Sequence, residues 1–140
     1  MKSKNLKKYE PNKNEDFMNS KQLEYFKQKL LTWKKEVLRD SNITLMKLKE
    51  ESSNKPDATD RASLESDRTL ELRTRDRLRK LLSKIDKALS KIDDGSYGYC
   101  EQTLEPISLE RLKARPIATL SLEAQENHEK SERIYKEKEY

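Results

Sequence analysis

Two segments with a heptad pattern flank one short turn, and this arrangement limits the folds that are open to the chain. In the first segment, apolar residues recur at spacings of three and four and are Leu23, Phe26, Leu30, Trp33 and Val37. In the second segment, they recur at spacings of four and three and are Leu78, Leu82, Ile85, Leu89 and Ile92. Such stripes are typical of helices that pair as a coiled coil.

The turn between these segments has the sequence PDATDRA and occupies residues 56–62. Pro56 lacks an amide N–H and disfavours a helical conformation at Lys55. Asp57 or Asp60 can then cap the helix that follows. Two long helices joined by a short turn fold back as an antiparallel hairpin, so the turn becomes its tip. Two interpretations of the aspartates remain open here: helix caps, or a functional acidic tip.

Apolar residues become sparse towards the predicted tip, where the second segment offers only Leu64, Leu70 and Leu72. The two strong stripes lie at opposite ends of the paired segments, and an antiparallel hairpin brings them together at its base. The pattern therefore predicts a well-packed base and a weakly packed, polar tip. Such an arm suits insertion into another structure.

The composition favours long helices over a large compact core. Only 32% of the 140 residues are hydrophobic and 41% are charged, against roughly 45–50% and about 25% in average globular proteins. The chain also has only two glycines, fewer than sheets and tight turns need. We expect an all-α protein that buries narrow apolar stripes.

The charge pattern and the termini bear on partners and location. The net charge is +5, but basic and acidic residues alternate along the helices, which argues against DNA binding. No apolar run has the length of a membrane span, and no apolar region follows the N-terminal lysines. The only cysteine, Cys100, excludes an internal disulfide. We expect a cytoplasmic protein without a membrane partner.

Catalytic signals are weak. The only histidine, His128, lies in a polar segment, and the chain has no glycine-rich phosphate loop. We therefore expect no enzymatic activity. Because the two apolar stripes of a hairpin pack against each other within one chain, we also expect a monomer.

The chain divides into four predicted parts. Residues 1–17 are expected to form a flexible tail, and residues 18–98 the coiled-coil hairpin, with Asn19 or Ser20 as its first cap and its tip at residues 55–62. Residues 99–120 include a short helical stretch at residues 108–115, and residues 121–140 predict a final helix.

The third part keeps the spacing of a zinc ribbon without its ligands. Cys100, Thr103, Ser121 and Ala124 occupy the four positions of a C-x2-C and C-x2-C frame. One thiolate cannot make a tetrahedral zinc site, so we predict a zinc-ribbon-like region without zinc that rests on apolar packing. The residues available for this packing are Tyr97, Tyr99, Leu104, Ile107, Leu112, Ile117 and Leu120.

Several motifs occur together along the chain. They are Met18 and Asn19, Leu30 and Trp33, the PDATDRA turn, LELRTRDR at residues 70–77, GYCE at residues 98–101, and RLKARP at residues 111–116. Together these motifs resemble the DksA/TraR family of bacterial RNA polymerase-binding transcription factors. The resemblance covers roughly residues 17–135 and departs from the family at three of the four zinc-ligand positions.

The resemblance implies a mechanism. Such proteins bind RNA polymerase and not DNA, insert the coiled coil into its secondary channel, and destabilise promoter complexes, often with the alarmone ppGpp as effector. For this chain we expect no tightly bound cofactor. The implied roles fall on the tip residues Asp57, Asp60 and Ala62, on Arg77 as a contact to the polymerase rim, and on Lys84 and Arg115 for ppGpp. A further lysine expected at the ppGpp site is Gln125 here.

Two alternatives remain open. The first is a transcript-cleavage factor of the Gre type, whose tip carboxylates help to hold a catalytic Mg²⁺ in the polymerase active site. The second is a structural coiled-coil protein whose arm pairs with another chain. Cleavage of RNA in backtracked complexes distinguishes the first alternative, and a concentration-dependent mass distinguishes the second.

Overall fold

The computed structural model of the chain describes residues 9–53 and 61–138. Within these ranges the chain forms four helices: α1 at Ser20–Ser53, α2 at Arg61–Asp94, α3 at Leu109–Ala114 and α4 at Leu122–Lys138. No strand forms in the described ranges, where the β-pairing is an isolated antiparallel bridge between Tyr99 and Pro106. The all-α prediction is confirmed. None of the helices in these ranges combines the length and apolar character needed to cross a bilayer.

The chain divides into two compact units. The first unit contains Met1–Leu30 and Ala88–Tyr140, and the second contains Leu31–Lys87. The division falls within α1 and within α2, so each long helix contributes to both units.

The second unit is the antiparallel hairpin. Lys34 Nζ on α1 lies 2.6 Å from Asp86 Oδ1 on α2, while the opposite ends of the two helices, Ser53 and Arg61, are separated by residues 54–60 alone. These two constraints together require antiparallel helices. Val37, Ser41 and Ile85 are buried in this unit, which confirms the predicted pairing of the stripes near the base.

Packing in the second unit weakens towards the predicted tip. Apolar side chains there are 45–67% exposed, and they are Ile43, Met46, Leu64, Leu70 and Leu72. The hairpin therefore holds its apolar contacts at one end and presents a largely solvated surface along the rest of the unit, as the sparse apolar pattern predicts.

The first unit holds most of the buried apolar residues. Its buried side chains are Phe26, Leu30, Ala88, Ile92, Tyr97, Cys100, Ile107, Leu109, Leu112 and Ala124. The Phe26 and Tyr97 rings pack with centroids 5.4 Å apart. The Tyr97 hydroxyl donates a hydrogen bond of 2.8 Å to the Pro116 carbonyl, and desolvation raises the pKa of Tyr97 above its ordinary value.

One residue expected in this core lies outside it. Leu104 is 77% exposed. Its N–H donates to the Cys100 carbonyl at 2.9 Å, and its φ of 61° places it in the left-handed region. The prediction that Leu104 packs in this core is wrong, because its position in the turn leaves the side chain in solvent. Tyr97, Ile107 and Leu112 are buried as predicted.

Local signals set the helix ends. Of the two predicted caps, Asn19 is the one that acts: its Oδ1 accepts the Gln22 N–H at 2.9 Å at the start of α1. Helix α2 ends at Asp94, and Gly95 adopts a φ of 84° just beyond it. Ser108 Oγ caps α3 by accepting the Arg111 N–H at 3.2 Å.

Residues 9–19, here named the N-terminal strap, contact the start of α1. The buried Gln22 side chain accepts the Met18 N–H at 2.8 Å and donates to the Asn12 carbonyl at 3.4 Å. The Tyr9 ring packs edge-on against Tyr25. Residues 1–8 lie outside the described ranges, so the flexible tail predicted for residues 1–17 stays a prediction, as do the four predicted domain boundaries.

Candidate functional site

The predicted tip lies outside the part of the chain that the structure describes. Asp57 and Asp60 fall within residues 54–60, and although Ala62 is in the first turn of α2, its side chain is also outside the description. Helix α1 ends at Ser53 and helix α2 begins at Arg61, so both aspartates belong to the connection between the two helices, residues 54–60. The functional role of the tip stays a prediction.

Arg77 is exposed on α2 in a region rich in charge. Its neighbours are engaged: Arg75 donates two hydrogen bonds to Glu71 Oε1, at 3.1 and 2.9 Å, and Lys80 lies 3.1 Å from Asp76. The Arg77 side chain forms no hydrogen bond or ion pair with any residue in the described ranges. Its guanidinium is therefore available to an external acceptor.

The two residues implied for ppGpp belong to different units. Lys84 is exposed on α2 in the second unit, and Arg115 is exposed at the end of α3 in the first. Arg115 closes α3 through its backbone, whose N–H donates to the Arg111 carbonyl at 2.7 Å. Neither cationic side chain pairs with another described residue, so both remain available to anions.

Gln125 lies on α4 at the position where the resemblance expects a lysine. Its amide Nε2 donates a hydrogen bond of 3.0 Å to Glu129 Oε1, one turn further along the helix. A neutral amide engaged with a carboxylate adds no positive charge to this face of α4.

The four positions of the zinc-ribbon frame remain associated without a set of ligands. The Cys100 sulfur is fully buried. The Cys100 N–H donates to the Glu105 carbonyl at 2.8 Å, and the adjacent Glu101 N–H donates to the Thr119 carbonyl at 2.9 Å. Ala124, at the fourth position, is 2% exposed, and its N–H donates to Ser121 Oγ at 3.2 Å.

The hydrogen bonds to Cys100 change its acid–base chemistry. Burial raises the pKa of the thiol, but the Thr103 hydroxyl and the surrounding backbone N–H groups stabilise the thiolate more strongly, and together they lower the pKa to about 6. Residue types alone do not predict this lowered pKa, because backbone N–H groups are among its causes. The retained C-x2 spacing was the one available signal.

The chain thus combines an antiparallel two-helix hairpin with a region that keeps the frame of a zinc ribbon. The family described as the DnaK suppressor protein DksA, N-terminal domain, matches residues 22–92. The prokaryotic dksA/traR C4-type zinc finger family matches residues 95–130.

Individual relatives agree with these matches. The chain is 62% identical over 129 residues to the RNA polymerase-binding transcription factor DksA of Caulobacter vibrioides strain NA1000, covering 92% of this chain and 91% of the relative. It is 40% identical over 115 residues to DksA of Escherichia coli K12, covering 82% and 76%. The solved structure of transcription factor DksA2 from Pseudomonas aeruginosa superposes with a TM-score of 0.75 at 40% identity, covering 84% of this chain and 90% of that one. The chain belongs to the DksA family.

The zinc implied by the C4-type family does not fit the residues of this chain. Zinc in proteins is bound by Cys, His, Asp or Glu, and the four frame positions supply only the Cys100 thiolate. The described residues contain no group of three or more His, Cys, Asp or Glu side chains that could hold a metal ion. The Thr103 hydroxyl accepts the Glu105 N–H at 3.4 Å, and that of Ser121 accepts the Ala124 N–H at 3.2 Å.

Proposed function

We propose that this chain is a transcription regulator that binds RNA polymerase directly and acts without catalysis of its own. The observation that carries the proposal is the 62% identity, over 92% of the chain, to a protein named RNA polymerase-binding transcription factor. Identity at this level extends across both units, so the proposal concerns the whole chain.

In the proposed mechanism, the hairpin enters the secondary channel and brings Asp57 and Asp60 towards the polymerase active site, where promoter complexes are destabilised. Ala62 permits close approach because its side chain is small. The second unit supports this assignment: Leu70 and Leu72 are 52% and 67% exposed, as expected of an arm whose distal surface is not needed for its own packing.

Three cationic residues complete the proposed contacts. Arg77 binds an acceptor on the polymerase rim, and Lys84 and Arg115 bind the phosphates of ppGpp at the polymerase interface. Guanidinium and ammonium groups form charge-assisted hydrogen bonds with carboxylates and phosphates. All three residues are exposed and are unpaired among the described residues, which leaves their charges free for such contacts.

The remaining properties follow from the same proposal. The protein acts in the cytoplasm as a monomer, contacts polymerase and ppGpp but neither DNA nor membrane, and carries no zinc. The interleaved charges support the absence of a DNA-binding face. The residues at the four frame positions, among which only Cys100 can bind zinc, support the absence of zinc.

Multi-round transcription from a ribosomal RNA promoter tests the proposal, with polymerase from the native host and a titration of this protein with and without ppGpp. We expect inhibition that ppGpp strengthens. The Asp60→Asn variant should lose inhibition while it still binds polymerase. Asp40→Asn removes the same charge from an exposed position of α1 and should behave as the unaltered chain.

Two results would contradict the mechanism. Lost polymerase binding in Asp60→Asn would make the tip an anchor instead of an effector. RNA cleavage in backtracked complexes without inhibition of initiation would favour the Gre-type alternative. If neither inhibition nor cleavage occurs and the mass rises with concentration, the structural coiled-coil alternative replaces the proposal.

A further inference from the structure

We propose that Lys29 and Tyr97 are positioning residues for Arg115, the residue to which the proposed function assigns a phosphate contact with ppGpp. The inference rests on that proposed function and adds two residues that lie outside the contacts named there. Both residues act through the backbone on either side of Arg115, and all three belong to the first unit.

The Arg115 side chain has no contact of its own that fixes its place. Arg115 is exposed, and its guanidinium forms no hydrogen bond or ion pair with any described residue. Its backbone leaves the helical conformation at the end of α3, with a φ of −135° and a ψ of 86°. A helix of 6 residues is too short to be stable by itself. The location of Arg115 therefore depends on contacts from other elements.

Lys29 on α1 holds the backbone before Arg115. Its Nζ donates a hydrogen bond of 2.6 Å to the Lys113 carbonyl in the last turn of α3. Carbonyl groups at the end of a helix lack an intrahelical partner and carry partial negative charge. The Lys29 ammonium group satisfies one of them and offsets charge that would oppose a phosphate at Arg115. The same Nζ lies 5.8 Å from the centroid of the Tyr25 ring, a cation–π contact that directs the side chain.

Tyr97 holds the backbone after Arg115. Its hydroxyl donates a hydrogen bond of 2.8 Å to the Pro116 carbonyl, and both residues are buried. The Tyr97 ring is itself fixed by packing against Phe26, with centroids 5.4 Å apart. A buried aromatic side chain thus sets the location of the residue that follows Arg115.

The chain around Arg115 is consequently fixed on both sides. Only two residues, one of them Arg115, separate the two residues whose carbonyls are held. The Arg115 N–H donates to the Arg111 carbonyl at 2.7 Å, and the Arg115 carbonyl accepts the Ala118 N–H at 3.0 Å. A backbone that is fixed before binding reduces the conformational entropy lost when the guanidinium takes up a phosphate. Loss of either anchor should therefore weaken the effector contact.

The Tyr97→Phe variant tests the second anchor, because it removes one hydroxyl and keeps the ring. In multi-round transcription with polymerase from the native host, the ppGpp concentration for half-maximal inhibition should rise about five-fold, the effect of one lost hydrogen bond. Inhibition without ppGpp should stay unchanged. Tyr99→Phe is the matched control, since the Tyr99 hydroxyl forms no hydrogen bond within the described ranges, and it should respond to ppGpp as the unaltered protein does.

Three lysine variants test the first anchor in the same assay. Lys29→Met removes the donor and should raise the half-maximal ppGpp concentration by about five-fold. Lys29→Arg keeps a cationic donor and should restore most of the response. Lys35→Met removes the same charge from an exposed position of α1 and controls for net charge.

Amide hydrogen exchange of the unbound protein measures the positioning without polymerase. The N–H groups of Arg115 and Ala118 should exchange about five-fold faster or more in Lys29→Met and Tyr97→Phe than in the two controls. This measurement separates a displaced backbone from a change in charge.

The outcomes distinguish the inference from the function on which it rests. A normal ppGpp response in both anchor variants, equal exchange rates in variants and controls, or an equal loss of inhibition with and without ppGpp would each overturn the inference alone. An effect of Lys35→Met as large as that of Lys29→Met would also overturn it, since charge and not position would then govern the response. If the unaltered protein does not respond to ppGpp, the proposed contact at Arg115 is refuted and the inference falls with it.

Discussion

A Cβ atom at Gly98 would lie 2.9 Å from Cε and 3.1 Å from Cγ of Met18. Gly98 thus permits the N-terminal strap to pack directly on the backbone of the segment that follows α2. Next to this contact, the Phe17 ring meets the Tyr99 ring edge-on with centroids 5.4 Å apart. Gly98 also has a φ of 91°, a conformation that glycine adopts without strain.

Gly98→Ala should therefore destabilise the first unit for two reasons, backbone strain and a clash with Met18. We expect it to lower the free energy of unfolding by about 2 kcal/mol or more. Gly95→Ala is the matched control, because Gly95 has a similar φ of 84° but has no atom within 4 Å of the added Cβ. Chemical denaturation of both variants measures the difference. Equal losses would mean that the strap does not press on Gly98.

Gln22 fastens the strap to α1, and its removal should release the strap. The side chain is fully buried, and it is the partner of the Met18 N–H and the Asn12 carbonyl. Gln22→Leu should cost about 1–3 kcal/mol of unfolding free energy, because it removes both hydrogen bonds of this buried side chain. Gln28→Leu provides the control, since Gln28 is exposed and bonds only Glu24 among the described residues.

Proteolysis provides a second measurement for Gln22. Cleavage within residues 9–19 should become faster in Gln22→Leu and remain unchanged in Gln28→Leu. If both variants are cleaved at the same rate, Gln22 does not hold the strap.

The helices were predictable from sequence, whereas the strap was not. Heptad spacing, the Asn19 cap and the glycine after Asp94 are local signals, and they fix α1 and α2 without knowledge of the rest of the fold. The Gln22 side chain bonds the backbone of Asn12 and Met18. A hydrophobic repeat in the sequence does not predict such contacts between a side chain and the backbone.

Apolar residues of α2 should differ in their contribution to stability according to their distance from the tip. Ile85 is 0% exposed and Leu72 is 67% exposed. Ile85→Ala should cost about 2–4 kcal/mol through lost burial and the resulting cavity, while Leu72→Ala should stay within about 0.5 kcal/mol. Urea denaturation followed by circular dichroism measures both. A large loss in Leu72→Ala would show that the distal hairpin is more tightly packed than its exposure indicates.

Gln125 is the position at which a gain of function tests the proposed ppGpp contact. Gln125→Lys replaces the amide that bonds Glu129 with a cation that can reach a phosphate. We expect the ppGpp concentration for half-maximal inhibition to fall about five-fold, equivalent to about 1 kcal/mol. Gln28→Lys adds the same charge on an exposed face of α1 and should have no such effect. Equal responses would show that net charge, and not this site, governs the effector.

Cys100 should make the stability of the first unit depend on pH. Its pKa is about 6 in the folded protein against an ordinary 9.0, because hydrogen bonds from Thr103, Ser121 and Gln102 outweigh the effect of burial. A lowered pKa means that the folded state binds the proton less tightly than the unfolded state. The thiolate therefore contributes its full stabilisation above about pH 9, and this contribution is lost progressively as the pH falls to about 6.

Comparison of the unaltered protein with Cys100→Ser isolates this effect, since all other groups titrate in both. The difference between their free energies of unfolding should grow from pH 6 to pH 9, and the ultraviolet absorbance of the thiolate should titrate near pH 6. In Thr103→Val that midpoint should move upwards, because the hydroxyl donor is gone while the backbone donors remain. A midpoint near the ordinary thiol value in the unaltered protein, with a pH-independent difference in stability, would show that Cys100 is a neutral buried thiol.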